Sequence, residues 1–200
     1  MESGTSPARK VMVVADPSRE SAGALQYALS HVVVENDELI LLHVENPNSW
    51  RNTFSFLRKS SFPSSSKFLD EHIFSLEGSG GINFLEAMKH ICELAQPKIR
   101  IRMERMHMEA KAKDNKDKAN AILGTSMMLG VDLIIIGQRR SLSSALLGYK
   151  RSGSSGMKGL DTAEYLIENS KCTCVGVQKK GQNGGYLLNT KTQKNFWLLA

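Results

Sequence analysis

The fold is decided by the apolar stretch Val131-Asp-Leu-Ile-Ile-Ile-Gly137, which has the length of a single β-strand. Successive side chains of a strand point to opposite faces of its sheet. Consecutive apolar residues therefore predict a strand that is buried on both faces. Such burial is typical of a parallel sheet covered by helices, and we expect this architecture here.

Three other stretches share this character, namely residues 10–15, 38–44 and 171–177. A fifth candidate strand, residues 99–108, alternates between apolar and charged side chains instead. Alternation is typical of a strand with one face in water, so we expect this strand nearer the edge of the sheet.

Apolar residues at helical spacing lie between these strands. The four stripes are Ala22, Leu25, Leu29, Val32 and Val33; Leu85, Met88, Cys92 and Ala95; Ala119, Ile122, Leu123 and Met127; and Ala163, Leu166 and Ile167. Parallel strands need crossover connections, which are usually helices. The alternation predicts an α/β fold: an open, doubly wound, parallel, five-stranded sheet with helices on both faces. Ligands of such sheets bind beyond the carboxyl ends of the strands.

Three segments are expected to lie outside this regular pattern. Residues 1–8 are predicted to be disordered, and a domain is expected over residues 9–178 with a C-terminal tail at 179–200. Within the domain, residues 46–80 form an insertion rich in serine and phenylalanine, and residues 138–160 form a basic loop rich in glycine and serine. The apolar end of the tail is a candidate for docking back on the domain.

Composition narrows the function classes. Lys and Arg outnumber Asp and Glu by 26 to 20, for a formal net charge of +6. The segment 98–118 is rich in basic residues, but it lacks the aromatic side chains that stack on nucleic acid bases. No nucleic acid partner is therefore expected. The N-terminus has no secretory or transit pattern and no apolar run approaches a membrane span, so a cytoplasmic location, with a nuclear one as the alternative, and no membrane partner are predicted.

Neither a metal site nor a catalytic nucleophile is predicted. The five histidines form no His-x-x-x-His pair, and the three cysteines lack metal-ligand spacing. The sequence also lacks the Gly-x-Ser-x-Gly pattern of a hydrolase nucleophile.

Three segments resemble universal stress proteins, in the adenine nucleotide alpha hydrolase-like superfamily. Residues 16–25 (DPSRESAGAL) resemble the exit of the family's first strand, residues 130–137 (GVDLIIIG) its fourth strand, and residues 164–177 (EYLIENSKCTCVGV) its last helix and fifth strand. The resemblance covers about residues 9–178. The insertion and tail resemble those of plant members.

The resemblance implies a Rossmann-like fold with strand order 3-2-1-4-5. It also implies a homodimer through the last strand, unless the C-terminal tail covers that strand. Members that bind ATP carry Gly-x-x-Gly, nine residues and then Gly-Ser or Gly-Thr after strand four. Here Gly137 matches the first glycine, but Arg140 replaces the second and the count then lands on Lys150-Arg151, so the motif is degenerate. An insertion in the loop would instead place Gly159, with Asp161 or Thr162, at the start of the next helix.

The resemblance also implies a binding site for ATP or AMP at the carboxyl ends of strands one and four. Asp16 and Val44 are expected on its adenosine side, and its phosphate side is assigned to Gly137, Arg139, Arg140, Gly159 and Thr162. Two alternatives stay open. Asp16 is also suited to capping the following helix, and the basic loop to binding an acidic partner or acting as a lid.

We therefore expect a universal-stress-protein-like domain with a role in stress response or signalling, which binds an adenine nucleotide weakly and without catalysis. One alternative is a slow ATPase or phosphotransferase, for which Asp16 and Asp161 are the candidate carboxylates. Another is a protein-interaction module that no longer binds nucleotide and whose partner is unknown.

Overall fold

A computed structural model describes residues 8–45, 84–108, 115–139, 161–181 and 185–198 of the 200-residue chain. The predicted insertion at 46–80 and most of the basic loop lie outside these ranges, and so do the site candidates Arg140 and Gly159. The predicted disorder of residues 1–8 concerns a segment of which only Ala8 is described.

Seven strands and four helices make up the described part of the chain. The strands are β1 (Lys10–Val14), β2 (Glu38–Glu45), β3 (Arg100–His107), β4 (Leu133–Gly137), β5 (Thr173–Lys179), β6 (Tyr186–Asn189) and β7 (Phe196–Leu198). The helices are α1 (Arg19–Tyr27), which continues in a π-helical turn (Ala28–Val32), α2 (Phe84–Ala95), α3 (Asn115–Leu129) and α4 (Thr162–Asn169). None of these helices has the length and apolar character needed to cross a membrane.

All strands form one sheet in the order β3-β2-β1-β4-β5-β6-β7. The first five strands in this order are parallel, which confirms the predicted α/β class and the strand order 3-2-1-4-5. The alternating strand β3 lies at the sheet edge, as expected.

The predicted strand number of five was wrong, because the C-terminal segment adds β6 and β7 to the sheet. Both added strands are antiparallel to their neighbours. With four and three residues they are too short to show a clear alternation in the sequence. Pairing with β5 stabilises β6, and pairing with β6 stabilises β7. As a result β5 is not an edge strand. The C-terminal tail covers it, which is the case in which no dimer through this strand was expected.

Two apolar cores lie on opposite faces of the sheet, because neighbouring residues of each strand point to opposite sides. Val11 and Val13 of β1 pack with α1, α2 and β6, whereas Met12 and Val14 pack with α3 and α4. Met127, which the sequence pattern assigned to the apolar stripe of α3, is instead 54% exposed. The helix turns the small polar residues Thr125 and Ser126 toward the sheet, and their hydroxyls bond to backbone carbonyls of α3 itself.

Candidate functional site

The carboxyl ends of β1, β2 and β4 meet at one edge of the sheet. β1 lies between the other two, with Val14 beside Leu42 of β2 and Val13 beside Ile135 of β4. The chain order reverses at β1, which makes this edge the topological switch point where ligands of open α/β sheets bind. The structure thus brings the predicted residues Asp16, Val44 and Gly137 to the same edge of the sheet.

The carboxylate of Asp16 contacts two basic side chains from other elements. Lys118 Nζ, from α3, lies 2.9 Å from Oδ1 and 2.7 Å from Oδ2. His43 Nδ1, from β2, lies 3.5 Å from Oδ1 and 2.7 Å from the carbonyl oxygen of Ala15. Both neighbours of Nδ1 are acceptors, so this nitrogen carries the ring hydrogen. The result is an anion held between a lysine and an imidazole N–H.

The environment of Asp16 favours its ionised form. Burial raises the pKa of the carboxyl, but the hydrogen bond from His43 and the positive charge of Lys118 lower it more, so that the pKa lies below its ordinary value. Asp16 is therefore a carboxylate at neutral pH. A carboxylate at this position accepts hydrogen bonds and donates none.

The turn after β1 is fixed by two serines. Ser21 Oγ accepts a hydrogen bond from Asp16 N at 3.0 Å and donates one to the carbonyl oxygen of Val14 at 3.0 Å. Ser18 is the N-cap of α1, with its Oγ accepting from Ser21 N at 3.2 Å. The alternative in which Asp16 caps this helix is therefore wrong, because Ser18 does so. The Asp16 side chain is left to face Lys118 and His43.

Gly137, at the end of β4, lies against the first turn of α1. A Cβ atom at this position would stand 2.3 Å from the carbonyl carbon of Glu20, 2.4 Å from its oxygen and 2.8 Å from Ser21 N. Such distances are far shorter than van der Waals contact. The absence of a side chain is thus required for packing between a strand and a helix, whatever Gly137 does toward a ligand.

The remaining candidates have different surroundings. The Val44 side chain is buried in the core that β1 shares with α3, so a ligand would meet only the backbone of this residue. Arg139 is exposed just after β4. Thr162 is the first residue of α4, whose N-terminus is capped by Asp161 through a bond from Ala163 N to Oδ1 of 3.2 Å. Glu164 adds a second acidic residue to this first turn.

Three side chains at the site were not predicted from the sequence, namely His43, Phe84 and Lys118. Phe84 begins α2, and its ring meets the His43 ring edge to face with centroids 4.7 Å apart. Lys118 is the last residue of the basic stretch 98–118, which was considered above only as a surface for nucleic acid. No local pattern marks either basic residue, because their contact with Asp16 depends on where α3 and β2 pack.

Replacing Asp16 by Asn is expected to lower the free energy of unfolding by about 1 kcal/mol at pH 7, because Lys118 loses its anionic partner. The two side chains are 30% and 22% exposed, so water screens the pair and the loss stays modest. The unfolded carboxyl titrates near pH 4, and the folded pKa is lower. The stabilisation is therefore complete above about pH 5 and is lost as the pH falls through the folded pKa.

Urea unfolding of the wild type and Asp16→Asn at pH 7, 5 and 3 tests this dependence. The difference between the two proteins should narrow in acid, and an equal difference at pH 7 and pH 3 would contradict it. Glu35→Gln is the matched control, because Glu35 pairs with Lys98 at 2.9 Å while both side chains are about 70% exposed. Its loss of stability is expected to be close to zero.

Within the described residues, no group of three or more His, Cys, Asp or Glu side chains is arranged to hold a metal ion.

No family model matches the chain, and no curated protein sequence is similar to it. Solved structures are similar in fold. The hypothetical protein MJ0577, the subject of a structure-based assignment of biochemical function, is 17% identical with a TM-score of 0.51, over 88% of this chain and 100% of that chain. The fold is shared. Universal stress protein structures are among the similar chains, at lower scores.

Two of these have informative descriptions. UspA from Lactobacillus plantarum is 14% identical with a TM-score of 0.48, over 87% of this chain and 100% of its own. A universal stress protein solved in complex with cAMP is 14% identical with a TM-score of 0.49, over 86% of this chain and 98% of that chain. The α/β fold rests on the strand order of this chain and on its likeness to MJ0577, and the function is argued from the site.

Proposed function

We propose that this chain is a universal-stress-protein-like domain with a stress-response or signalling role, which binds an adenine nucleotide weakly at the carboxyl ends of β1 and β4 and catalyses no reaction on it. The observation that carries the proposal is the ionised Asp16 carboxylate at the switch point of the sheet. Hydroxyl and amino groups donate hydrogen bonds to such a carboxylate, and adenosine has both.

The described residues fit the adenosine part of a nucleotide better than its phosphates. Asp161 and Glu164 place two carboxylates at the start of α4, and these repel a phosphate. The first turn of α1 fills the space beside Gly137. Arg139 is the basic residue of the predicted phosphate side within the described ranges, and its charge favours an anion.

The contacts of Asp16 also support weak binding. Lys118 donates to both carboxylate oxygens, so a nucleoside hydroxyl competes with an ion pair that is already made. Displacing or sharing these bonds reduces the net gain, because only the difference between new and old interactions contributes to affinity.

Isothermal titration with ATP, AMP and cyclic AMP tests the proposal. We expect a Kd of about 0.1–1 mM for at least one of them. Asp16→Asn should weaken that binding about tenfold, since hydrogen bonds to a charged acceptor contribute about 1.5–3 kcal/mol and the amide retains part of this.

Asp132→Asn is the matched control, because Asp132 accepts from Lys10 N at 2.8 Å at the opposite, amino end of β1. Its affinity should equal that of the wild type. If no heat of binding were detected at a protein concentration of about 1 mM, nucleotide binding would be refuted. Phosphate release from ATP above an Asp16→Ala control would instead favour the slow ATPase or phosphotransferase.

A protein-interaction module without nucleotide is the second candidate. It is supported by the same ion pair, because Asp16 with Lys118 and His43 already forms a satisfied cluster with a purely structural explanation. The two candidates differ in the titration, in which such a module would bind none of the three nucleotides.

Plant-type membership and a cytoplasmic or nuclear location stay predictions. So does the homodimer through the last strand. The resemblance assigns that contact to β5, which is paired with β6. A contact between two β5 strands would therefore require β6 and β7 to leave the sheet. Light scattering tests it, and a protein that is monomeric at all concentrations would count against a homodimer.

A further inference from the structure

The two edges of the sheet have opposite character. At one edge β3 exposes Arg100, Arg102 and Arg105, and charged side chains of this kind hinder the addition of another strand. At the other edge β7 exposes two aromatic side chains, Phe196 at 50% and Trp197 at 47%. Among the described residues no strand pairs with the outer side of β7, which is the side on which we look for a partner.

The hairpin of β6 and β7 is held in a fixed geometry. Its turn is closed by bonds between Thr190 and Gln193, and Asn195, in the left-handed region with φ of 55°, donates its N–H to Asn189 Oδ1 at 2.7 Å. Lys194 Nζ joins the turn to Glu168 Oε1 of α4 at 2.8 Å. A strand edge that is ordered before binding loses little entropy when it pairs, which favours recognition.

The same segment is uniformly basic. After Glu168 the chain has no acidic residue, and it has five lysines: Lys171, Lys179, Lys180, Lys191 and Lys194. Lys194 is neutralised by Glu168, and Lys179 donates to Gln26 Oε1. Lys191 lies in the turn between β6 and β7. Lys179 is paired with Tyr186, which is paired with Leu198 of β7, so lysines lie near both ends of β7. Complementarity of charge therefore favours an acidic partner.

Two other occupants fit the edge less well. A second copy would bring two lysine-rich segments together, with repulsion between like charges. Single-stranded nucleic acid would need aromatic side chains on a common face, whereas Phe196 and Trp197 are consecutive in a strand and point to opposite faces. We propose that the outer edge of β7 binds an extended, acidic segment of a partner protein by strand addition, with Phe196 and Trp197 each covering one face of the added strand.

Fluorescence anisotropy of labelled, capped heptapeptides tests this inference. A peptide of alternating glutamate and valine should bind. The same peptide with lysine for glutamate, and a version N-methylated at its central valines, should each bind at least tenfold more weakly, because the first loses charge complementarity and the second loses backbone donors. Trp197→Thr should weaken the glutamate peptide at least fivefold, and Lys191→Glu at least threefold at low salt.

Leu94→Thr is the matched control, because Leu94 is an exposed apolar residue on α2, and this variant should bind like the wild type. Equal binding of the glutamate and lysine peptides would overturn the inference, as would no binding at about 1 mM protein. It would also be overturned if light scattering showed a dimer that Trp197→Thr dissociates, or if labelled oligo-dT bound in a Trp197-dependent way. None of these outcomes depends on nucleotide binding at Asp16.

Discussion

Replacing Gly137 by Ala is expected to lower the free energy of unfolding by about 3 kcal/mol, because the added methyl group meets backbone and not a mobile side chain. The new Cβ atom would lie 2.3 Å and 2.4 Å from the carbonyl carbon and oxygen of Glu20. Relief of this clash requires α1 to move away from β4, and α1 packs on the core through Ala24 and Leu25. Chemical denaturation of the purified variant measures the loss.

The matched control is Gly124→Ala in α3, where an added Cβ has no atom within 4 Å. Alanine is preferred over glycine inside a helix, so this change is expected to stabilise the protein by about 0.5–1 kcal/mol. The same substitution should thus have opposite signs at the two positions. If Gly137→Ala were as stable as the wild type, the close approach of α1 and β4 would be refuted, and with it the packing explanation for this glycine.

The parallel part of the fold was predictable because a strand that is buried on both faces consists of consecutive apolar residues. Four strands appear as continuous apolar runs, and β3 as an alternating one, because its edge position exposes one face. β6 and β7 have no comparable sequence pattern. In β6 only Tyr186 and Leu188 are buried, and in β7 the aromatic residues face water. The strand structure of β6 therefore follows from pairing with β5, and that of β7 from pairing with β6, and not from local preference.

The candidate site was predictable only as far as topology determines it. Parallel strands end at the same edge, so Asp16 and Gly137 are brought there by the strand order alone. The direction of the side chains at the end of β2 was not predicted. Val44 was the residue assigned at the exit of β2, but its side chain enters the core, and its neighbour His43, on the opposite face, contacts Asp16. The contribution of Lys118 depends on the position of α3, which spacing does not specify.

Replacing Tyr186 by Ala is expected to lower the free energy of unfolding by about 3 kcal/mol, since truncation of a buried aromatic side chain leaves a cavity. Tyr186 is only 3% exposed. Its ring centroid lies 5.3 Å from that of Tyr27 and 5.4 Å from that of His31. The ring therefore packs β6 against α1 and against the π-helical turn that follows α1. The same denaturation measurement applies, with far-ultraviolet circular dichroism to verify folding before denaturant is added.

Trp197→Ala in the same hairpin is the matched control. The tryptophan side chain is larger, but it is about half exposed, so its removal should cost less than about 1 kcal/mol. A loss for Tyr186→Ala no greater than that for Trp197→Ala would mean that the hairpin does not pack on the domain. In that case β5 would regain a free edge, the folded unit would end near residue 178, and a contact between two β5 strands would again be open to a second copy. A large loss at Tyr186 alone would make the hairpin an integral part of the folded domain, with β7 as its edge.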